Sequence, residues 1–272
     1  MKIVVIGSGA REHSLCYSIS QSPLVSSIYA IPGNYGISQL AECIEIDQSN
    51  FEEIHSFCQK NMVDLIIVGP EVPLVEGIVD FFEIKGIKIF GPNKYSSQLE
   101  GSKGFMKDLC QQNNIPTANY ARFNNKADSI NYLKDQSLPI VIKADGLAAG
   151  KGVTVAESME IAEQAIIDIF NEKFGANMEV VIEEFMDGEE ASYFICADGE
   201  NFVSLESAQD HKRIGENDTG PNTGGMGAYS PAPIFNSKIK QQVDNEIIIP
   251  TLKALQKSGN PYKGILYAGL MI

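Results

Sequence analysis

Five short runs rich in β-branched and other apolar residues occupy the first ninety positions: Lys2 to Ile6, Ser27 to Ile31, Cys43 to Ile46, Leu65 to Val68 and Ile87 to Phe90. Segments of helical period separate them, notably Phe51 to Asn61 and Leu74 to Lys85. Strands that alternate with helices predict a parallel sheet covered on both faces, since each crossover helix must pack back onto the sheet it left. In such sheets ligands bind beyond the carboxyl ends of the strands. Those ends carry Gly7 to Glu12, Pro32-Gly33-Asn34, Gly69-Pro70-Glu71 and Gly91-Pro92-Asn93. Gly and Pro in these places serve equally as plain turns, but together on one rim they outline a crevice.

The first of these turns joins a strand to a helix beginning near Arg11, a geometry that offers backbone N–H groups to an anion. A dinucleotide fingerprint requires a third glycine where this chain has Glu12, and an acidic residue at the end of the second strand, where Ile31 and Pro32 stand. An NAD-dependent oxidoreductase is therefore disfavoured. Arg11 and His13 leave room for a smaller anionic ligand.

After Asn93 the rhythm changes. A helix is predicted over Ser102 to Asn113, with Lys103 and Lys107 one turn apart on what is expected to be a solvated face. A strand, Tyr120 to Phe123, and a short helix, Lys126 to Asp135, lead to PIVIKADGLAAGKGVTV, residues 139–155. There Ile140 to Ile142 and Val153 to Val155 flank a turn carrying Gly146, Gly150 and Gly152, with Lys143 and Lys151 at its ends. Glycines let the backbone approach an anion closely, so the stretch reads either as a phosphate-holding hairpin or as an ordinary glycine-rich one. It is not a P-loop, because the glycine spacing is too short and a strand follows where a helix would be needed.

A helix capped by Ser158 and a strand at Val180 to Phe185 complete a compact unit able to close as a lid over a larger body. Residues 207–233, dense in Gly, Asn, Asp and Thr and headed by Asp210, His211, Lys212 and Arg213, read as a long functional loop suited to a second anion such as a sugar phosphate. Gln241 to Gln256 reads as a helix and Gly264 to Ile272 as a strand.

Composition narrows the partners. Acidic residues exceed basic ones, giving a formal charge of −14 over 272 residues, which repels nucleic acid and anionic membranes. The apolar runs are too short to span a bilayer, and a cytoplasmic protein of two or three folded units is expected. The five cysteines form no C-x-x-C pair, which argues against a zinc site and a disulfide frame.

Nine stretches, in order, resemble the glycinamide ribonucleotide synthetase (phosphoribosylamine–glycine ligase) family of ATP-grasp enzymes: GSGAREH (7–13), PGNYG (32–36), GPEVPLVEG (69–77), GSKGFMK (101–107), KADGLAAGKGV (143–153), EEFMDGEEAS (183–192), QDHKR (209–213), GPNTGGMGAYSP (220–231) and YAGLM (267–271). The resemblance implies an α/β chain: a Rossmann-like, pre-ATP-grasp domain at residues 1–101, then an ATP-grasp α+β domain, incomplete here, whose body is 102–122 plus 188–272 and whose small lid is 123–187. It implies a ligase of de novo purine synthesis that joins glycine to 5-phosphoribosylamine through a glycyl phosphate, with ATP and Mg²⁺ or Mn²⁺.

Carried over by position, Lys103 and Lys143 would contact ATP phosphates under a loop of Gly150, Lys151 and Gly152. Glu183, Glu184, Phe185 and Met186 would hold adenine, and Glu190 the ribose. Lys143, Asp210 and Lys212 would carry catalysis. Asp210, His211, Lys212, Asn222, Thr223, Gly224, Gly225 and Met226 would line the substrate pocket, with Gly9, Asn34 and Glu71 on the rim of the first domain. The family's usual second glycine is Ala10 here, a change that a slightly wider turn absorbs. The family's Glu and Asn metal ligands lie beyond the point matching Ile272, so this polypeptide alone is expected to be a weak or inactive ligase, as for a fragment or a truncated reading frame. Two readings stand beside the ligase: another ATP-grasp carboxylate–amine ligase, against which the QDHKR and NTGGMG loops argue, and a non-catalytic nucleotide-binding module. Monomer and dimer are not distinguished.

Overall fold

The computed structural model of the chain describes residues 1–147, 152–176, 178–216 and 219–272, with the backbone alone at positions 221 and 222. The chain divides into two compact units, Met1–Ser97 with Tyr262–Ile265, and Gln98–Pro261 with Leu266–Ile272.

The first unit holds β1 (Lys2–Gly7), α1 (Ala10–Ser20), β2 (Ser27–Pro32), β3 (Glu42–Cys43), α2 (Phe51–Asn61), β4 (Leu65–Val68), α3 (Glu71–Glu76), α4 (Ile78–Ile84) and β5 (Ile89–Phe90). Its sheet has the order β3-β2-β1-β4-β5 and every pairing is parallel. Alternate side chains of each strand point to opposite faces. Val4, Ile6, Ile31, Ile66 and Val68 enter a core with Ile54 and Cys58 of α2 and with Ile78, Val79 and Phe82 of α4. Ile3, Val5, Ile28 and Ala30 enter a second core with Cys16 of α1. Both faces are thus dry, as the unbroken apolar runs require.

The single helix expected over Leu74 to Lys85 is two helices. Gly77 stands between α3 and α4 with φ +99°, a left-handed conformation that breaks the ladder and that glycine adopts without a Cβ penalty. The strand expected at Cys43 to Ile46 is only Glu42–Cys43.

The second unit holds α5 (Gln98–Gly101), α6 (Lys103–Gln112), β6 (Tyr120–Phe123), α7 (Lys126–Leu133), β7 (Ile140–Ala144), β8 (Val153–Ala156), α8 (Met159–Phe170), β9 (Val180–Glu184), β10 (Glu190–Asp198), β11 (Phe202–Ser204), β12 (Gln209–Gly215), β13 (Thr219–Tyr229), α9 (Ser237–Val243), α10 (Ile249–Lys257) and β14 (Lys263–Met271), the last shared with the first unit. An antiparallel sheet of order β6-β9-β7-β8 packs one face on α7 and α8 through Leu133, Ile140, Ile142, Ala162, Ile166, Ile169, Val180 and Ile182. The sheet and its two helices thus share one apolar core. A three-stranded sheet, β11-β10-β14, follows.

The segment expected to be a loop at 207–233 contains a two-stranded ribbon, β12 against β13, with Asp210 opposite Ala228 and His211 opposite Gly227. Glycines in β13 hide a strand from residue-by-residue propensity, but the cross-strand ladder satisfies the backbone groups that a loop would leave to water. The helix expected over Gln241 to Gln256 runs as α9, a π-helical turn at Asp244–Ile248, and α10, with Pro250 in the first turn of α10 where its missing N–H costs little. Among the described residues no helix is long and apolar enough to cross a membrane.

Candidate functional site

The strand β7 ends in Lys143 and Ala144, and Gly152 closes the hairpin by accepting from the Ala144 N–H at 2.8 Å. The tip beyond it, with the expected contacts Gly150 and Lys151, lies outside the described residues. Just after β7, Asp145 reaches the start of α6. Its carboxylate accepts from the Ser102 hydroxyl at 2.9 Å and from the Gly104 N–H at 3.2 Å, while Ser102 Oγ itself accepts from the Phe105 N–H at 3.0 Å. A side chain that caps a helix satisfies orphan N–H groups, and a carboxylate there also complements the helix dipole. Lys103 then donates to the Gly146 carbonyl at 2.8 Å. These bonds hold the beginning of α6 against the end of β7.

Lys107 and Lys143 are paired with one carboxylate, Glu183 on β9, while Lys103 feels the charge of Asp145 more strongly than that of Glu183. In the β7–β9 pairing Val141 is opposite Glu183 and Lys143 opposite Val181. Glu183 is 3% exposed, whereas the next residue, Glu184, points to the other face and accepts from the Asn119 N–H and side-chain amide, both at 2.9 Å. Lys107 Nζ lies 2.9 Å from Glu183 Oε2 and Lys143 Nζ 2.9 Å from Oε1. Glu183 Oε1 receives no hydrogen bond among the described residues, so the Lys143 contact is one of charge without hydrogen-bond alignment. Burial pushes the Lys103 amine below the usual lysine range, with Lys143 adding to the drop and Asp145 opposing it. The expectation that Lys107 lies on a solvated face is corrected: its side chain is buried, because Glu183 is a buried anion that must be paired.

Farther along the chain, Phe185 and Met186 are exposed apolar side chains at 39% and 42%. Glu190, at the start of β10, accepts from Lys212 Nζ at 2.5 Å, and Asp210 lies 3.5 Å from the same amine. Burial works against the Lys212 charge, but these two carboxylates hold its amine above the usual lysine range. The ribbon is tied to β10 by a bridge between Ser192 and Ala208. Thr223 donates to the Lys212 carbonyl at 2.8 Å and accepts from the Gly225 N–H at 3.0 Å. His211 faces the Tyr229 ring at 5.6 Å, Met226 is exposed, and a Cβ at Gly224 or Gly225 would meet nothing within 4 Å. The Asn222 side chain lies outside the described residues.

The rim residues of the first unit are also brought together. Gly9 donates to Glu12 Oε2 at 2.6 Å, so the chain's own carboxylate occupies the start of α1. Asn34 donates to the Ser8 carbonyl at 2.7 Å and accepts from the Ile37 N–H at 2.8 Å. Glu71 accepts from Arg11 at 2.8 Å; burial works against its charge, but Arg11 holds the carboxyl below the usual range.

Sequence reasoning left Lys107 out of this cluster. The signal for it was present in the i, i+4 spacing from Lys103 and in a carboxylate within an otherwise apolar strand.

Residues 1–100 match the phosphoribosylglycinamide synthetase N domain, and residues 101–272 match the phosphoribosylglycinamide synthetase ATP-grasp (A) domain. The chain is 51% identical over 273 residues to phosphoribosylamine–glycine ligase of Agrobacterium fabrum and 50% identical over 273 residues to that of Rhizobium meliloti, covering 100% of this chain and 64% of each relative. The chain thus spans about two thirds of the length of these relatives. The crystal structure of phosphoribosylamine–glycine ligase from Thermotoga maritima superimposes with a TM-score of 0.83 at 31% identity, over 100% of this chain and 65% of that one.

Proposed function

Because the chain belongs to the phosphoribosylglycinamide synthetase family, we propose that it carries the ATP-binding and substrate-binding portion of a ligase that joins glycine to 5-phosphoribosylamine. The observation that carries this reading is the convergence of Lys107 and Lys143 on the buried carboxylate of Glu183 with Lys103 beside Asp145, three ammonium groups against two carboxylates in a mostly dry setting. Such an excess attracts a polyanion far more strongly than the same lysines would in water. Lys103 and Lys143 are the residues to meet nucleotide phosphates, beneath a lid built from β6, β7, β8, β9, α7 and α8. ATP bound there supplies the phosphoryl group that activates the carboxylate of glycine.

Phe185 and Met186, exposed after β9, offer apolar surface to a flat base, and Glu190 offers acceptors to ribose hydroxyls. Asp210, His211, Lys212, Thr223, Gly224, Gly225 and Met226 on the ribbon are assigned to the substrates, as are Gly9, Asn34 and Glu71 in the first unit. Lys212, held charged by Glu190 and Asp210, is suited to steady an anionic group during transfer. Among the described residues no three His, Cys, Asp or Glu side chains converge to hold a metal ion. A cytoplasmic location accords with this reading.

Isothermal titration with ATP and with NAD tests it. ATP should bind, Lys143→Ala should weaken that binding by at least about tenfold, and NAD should give no heat. Binding of NAD without binding of ATP would overturn the reading. ADP release that depends on both glycine and 5-phosphoribosylamine tests the ligase step itself.

A further inference from the structure

Lys107 is buried so deeply that it has no path to a ligand. Its side chain is 2% exposed, and its three N–H donors have three acceptors: Glu183 Oε2 at 2.9 Å, Thr117 Oγ1 at 2.8 Å and the Ala118 carbonyl at 3.3 Å. An ammonium has three donors, so this one is fully satisfied inside the protein. Lys143 differs. Its side chain is 25% exposed, and its contact with Glu183 Oε1 lacks hydrogen-bond alignment.

We propose that Lys107 is a positioning residue that neutralises Glu183 from the buried side, leaving the charge and the N–H donors of Lys143 for an incoming phosphate. This deepens the nucleotide reading above and rests on it. One carboxylate cannot fully neutralise two ammonium groups, and the one with complete hydrogen-bond geometry holds the carboxylate more firmly. Without Lys107, Glu183 would keep Lys143 as its one ion-pair partner among the described residues, and that pair would close on itself. The excess charge at the site would drop by one although no phosphate contact had been touched. Thr117 and Ala118, in the connection between α6 and β6, fix the ammonium in place so that it cannot follow the ligand. Burial pushes the Lys107 amine below the usual lysine range while Glu183 opposes the drop, as expected of an amine kept charged by one partner.

The test is ATP binding by calorimetry on the 272-residue chain, with folding of each variant followed by circular dichroism. The variants are Lys107→Gln, which keeps a donor and removes the charge, and the same substitution in a Lys143→Ala background. Lys107→Gln alone should lose about tenfold or more in ATP affinity, and in the Lys143→Ala background it should lose less than about threefold further, because Lys107 acts through Lys143. A role confined to packing would cost the same factor in both backgrounds, and that result overturns the proposal. If Lys107→Gln does not fold, the cycle is run with Lys107→Met: a loss in the Lys143 background that vanishes with Lys143→Ala supports the proposal, and equal losses refute it. The parent reading fails separately, if the unsubstituted protein does not bind ATP or if Lys143→Ala binds it unchanged.

Discussion

Lys107 Nζ and Glu183 Oε2 lie 2.9 Å apart with both side chains almost wholly buried, 2% and 4% exposed, one on a helix and the other on the strand β9. Removing one partner of such a pair leaves an uncompensated charge in a dry setting. Glu183→Ala is expected to lower the unfolding free energy by about 3–5 kcal/mol, as measured by denaturant titration. A loss under about 1 kcal/mol would mean that water reaches Lys107.

Glu12 fills the space that three glycines leave open. A Cβ on Gly69 would come within 2.1 Å of Glu12 Oε1, and Cβ atoms on Gly7 and Gly9 would come within 2.6 Å and 2.9 Å of the same side chain. Gly69→Ala should therefore cost about 1–3 kcal/mol by overpacking. In a Glu12→Ala background the same substitution should be nearly neutral, so the two effects should couple in a double-mutant cycle by more than about 0.5 kcal/mol. Additive losses would show that Gly69 is limited by its backbone instead.

The Ser102 hydroxyl links the cap of α6 to Asp145 beside the lysine cluster. Ser102→Ala should cost about 1–2 kcal/mol in thermal or chemical unfolding, the ordinary loss of a helix cap. Ser102→Thr, which keeps the oxygen, should recover most of it.

Glu71 gives a pH prediction with a definite sign. Burial works against its charged form, but the Arg11 guanidinium at 2.8 Å and the Glu71 backbone N–H hold the folded carboxyl below its ordinary 4.5. A carboxyl whose pKa is lower in the folded state contributes stability that is present above the unfolded value and is lost as pH falls through the folded one. The contribution should thus be complete above pH 4.5 and fade below it. Carboxyl-carbon NMR should show Glu71 titrating below 4.5, and Arg11→Gln should move it upward; no movement would remove Arg11 as the cause.

Much of the fold follows from local pattern. The β-branched runs closed by Gly and Pro specify the parallel unit, because strand period and turn chemistry agree at each boundary. The β7–β8 hairpin likewise follows from Ile140 to Ile142 and Val153 to Val155 on either side of a glycine-rich turn. The ribbon β12–β13 does not, since its glycines carry no strand preference and only the cross-strand pairing, as of Gly227 with His211, holds it together. The break at Gly77 is equally silent, because a glycine inside a helical period is compatible with either one helix or two.

The sequence by itself determined which groups the chain has for its site: one lysine near a strand end and two a helical turn apart, neighbouring carboxylates at 183 and 184, and glycine-rich segments beside them. Only the tertiary structure decided which of them meet. In a strand, Glu183 and Glu184 must face opposite sides, but nothing in the string says which side is dry. The stacking of β9 beside β7, with α6 packed near, turned Glu183 inward and gave it two ammonium groups, while Glu184 was left to cap Asn119. Desolvation is a property of the assembled surroundings, and it made the same residue type a buried counter-ion at Lys107 and a partly exposed one at Lys143.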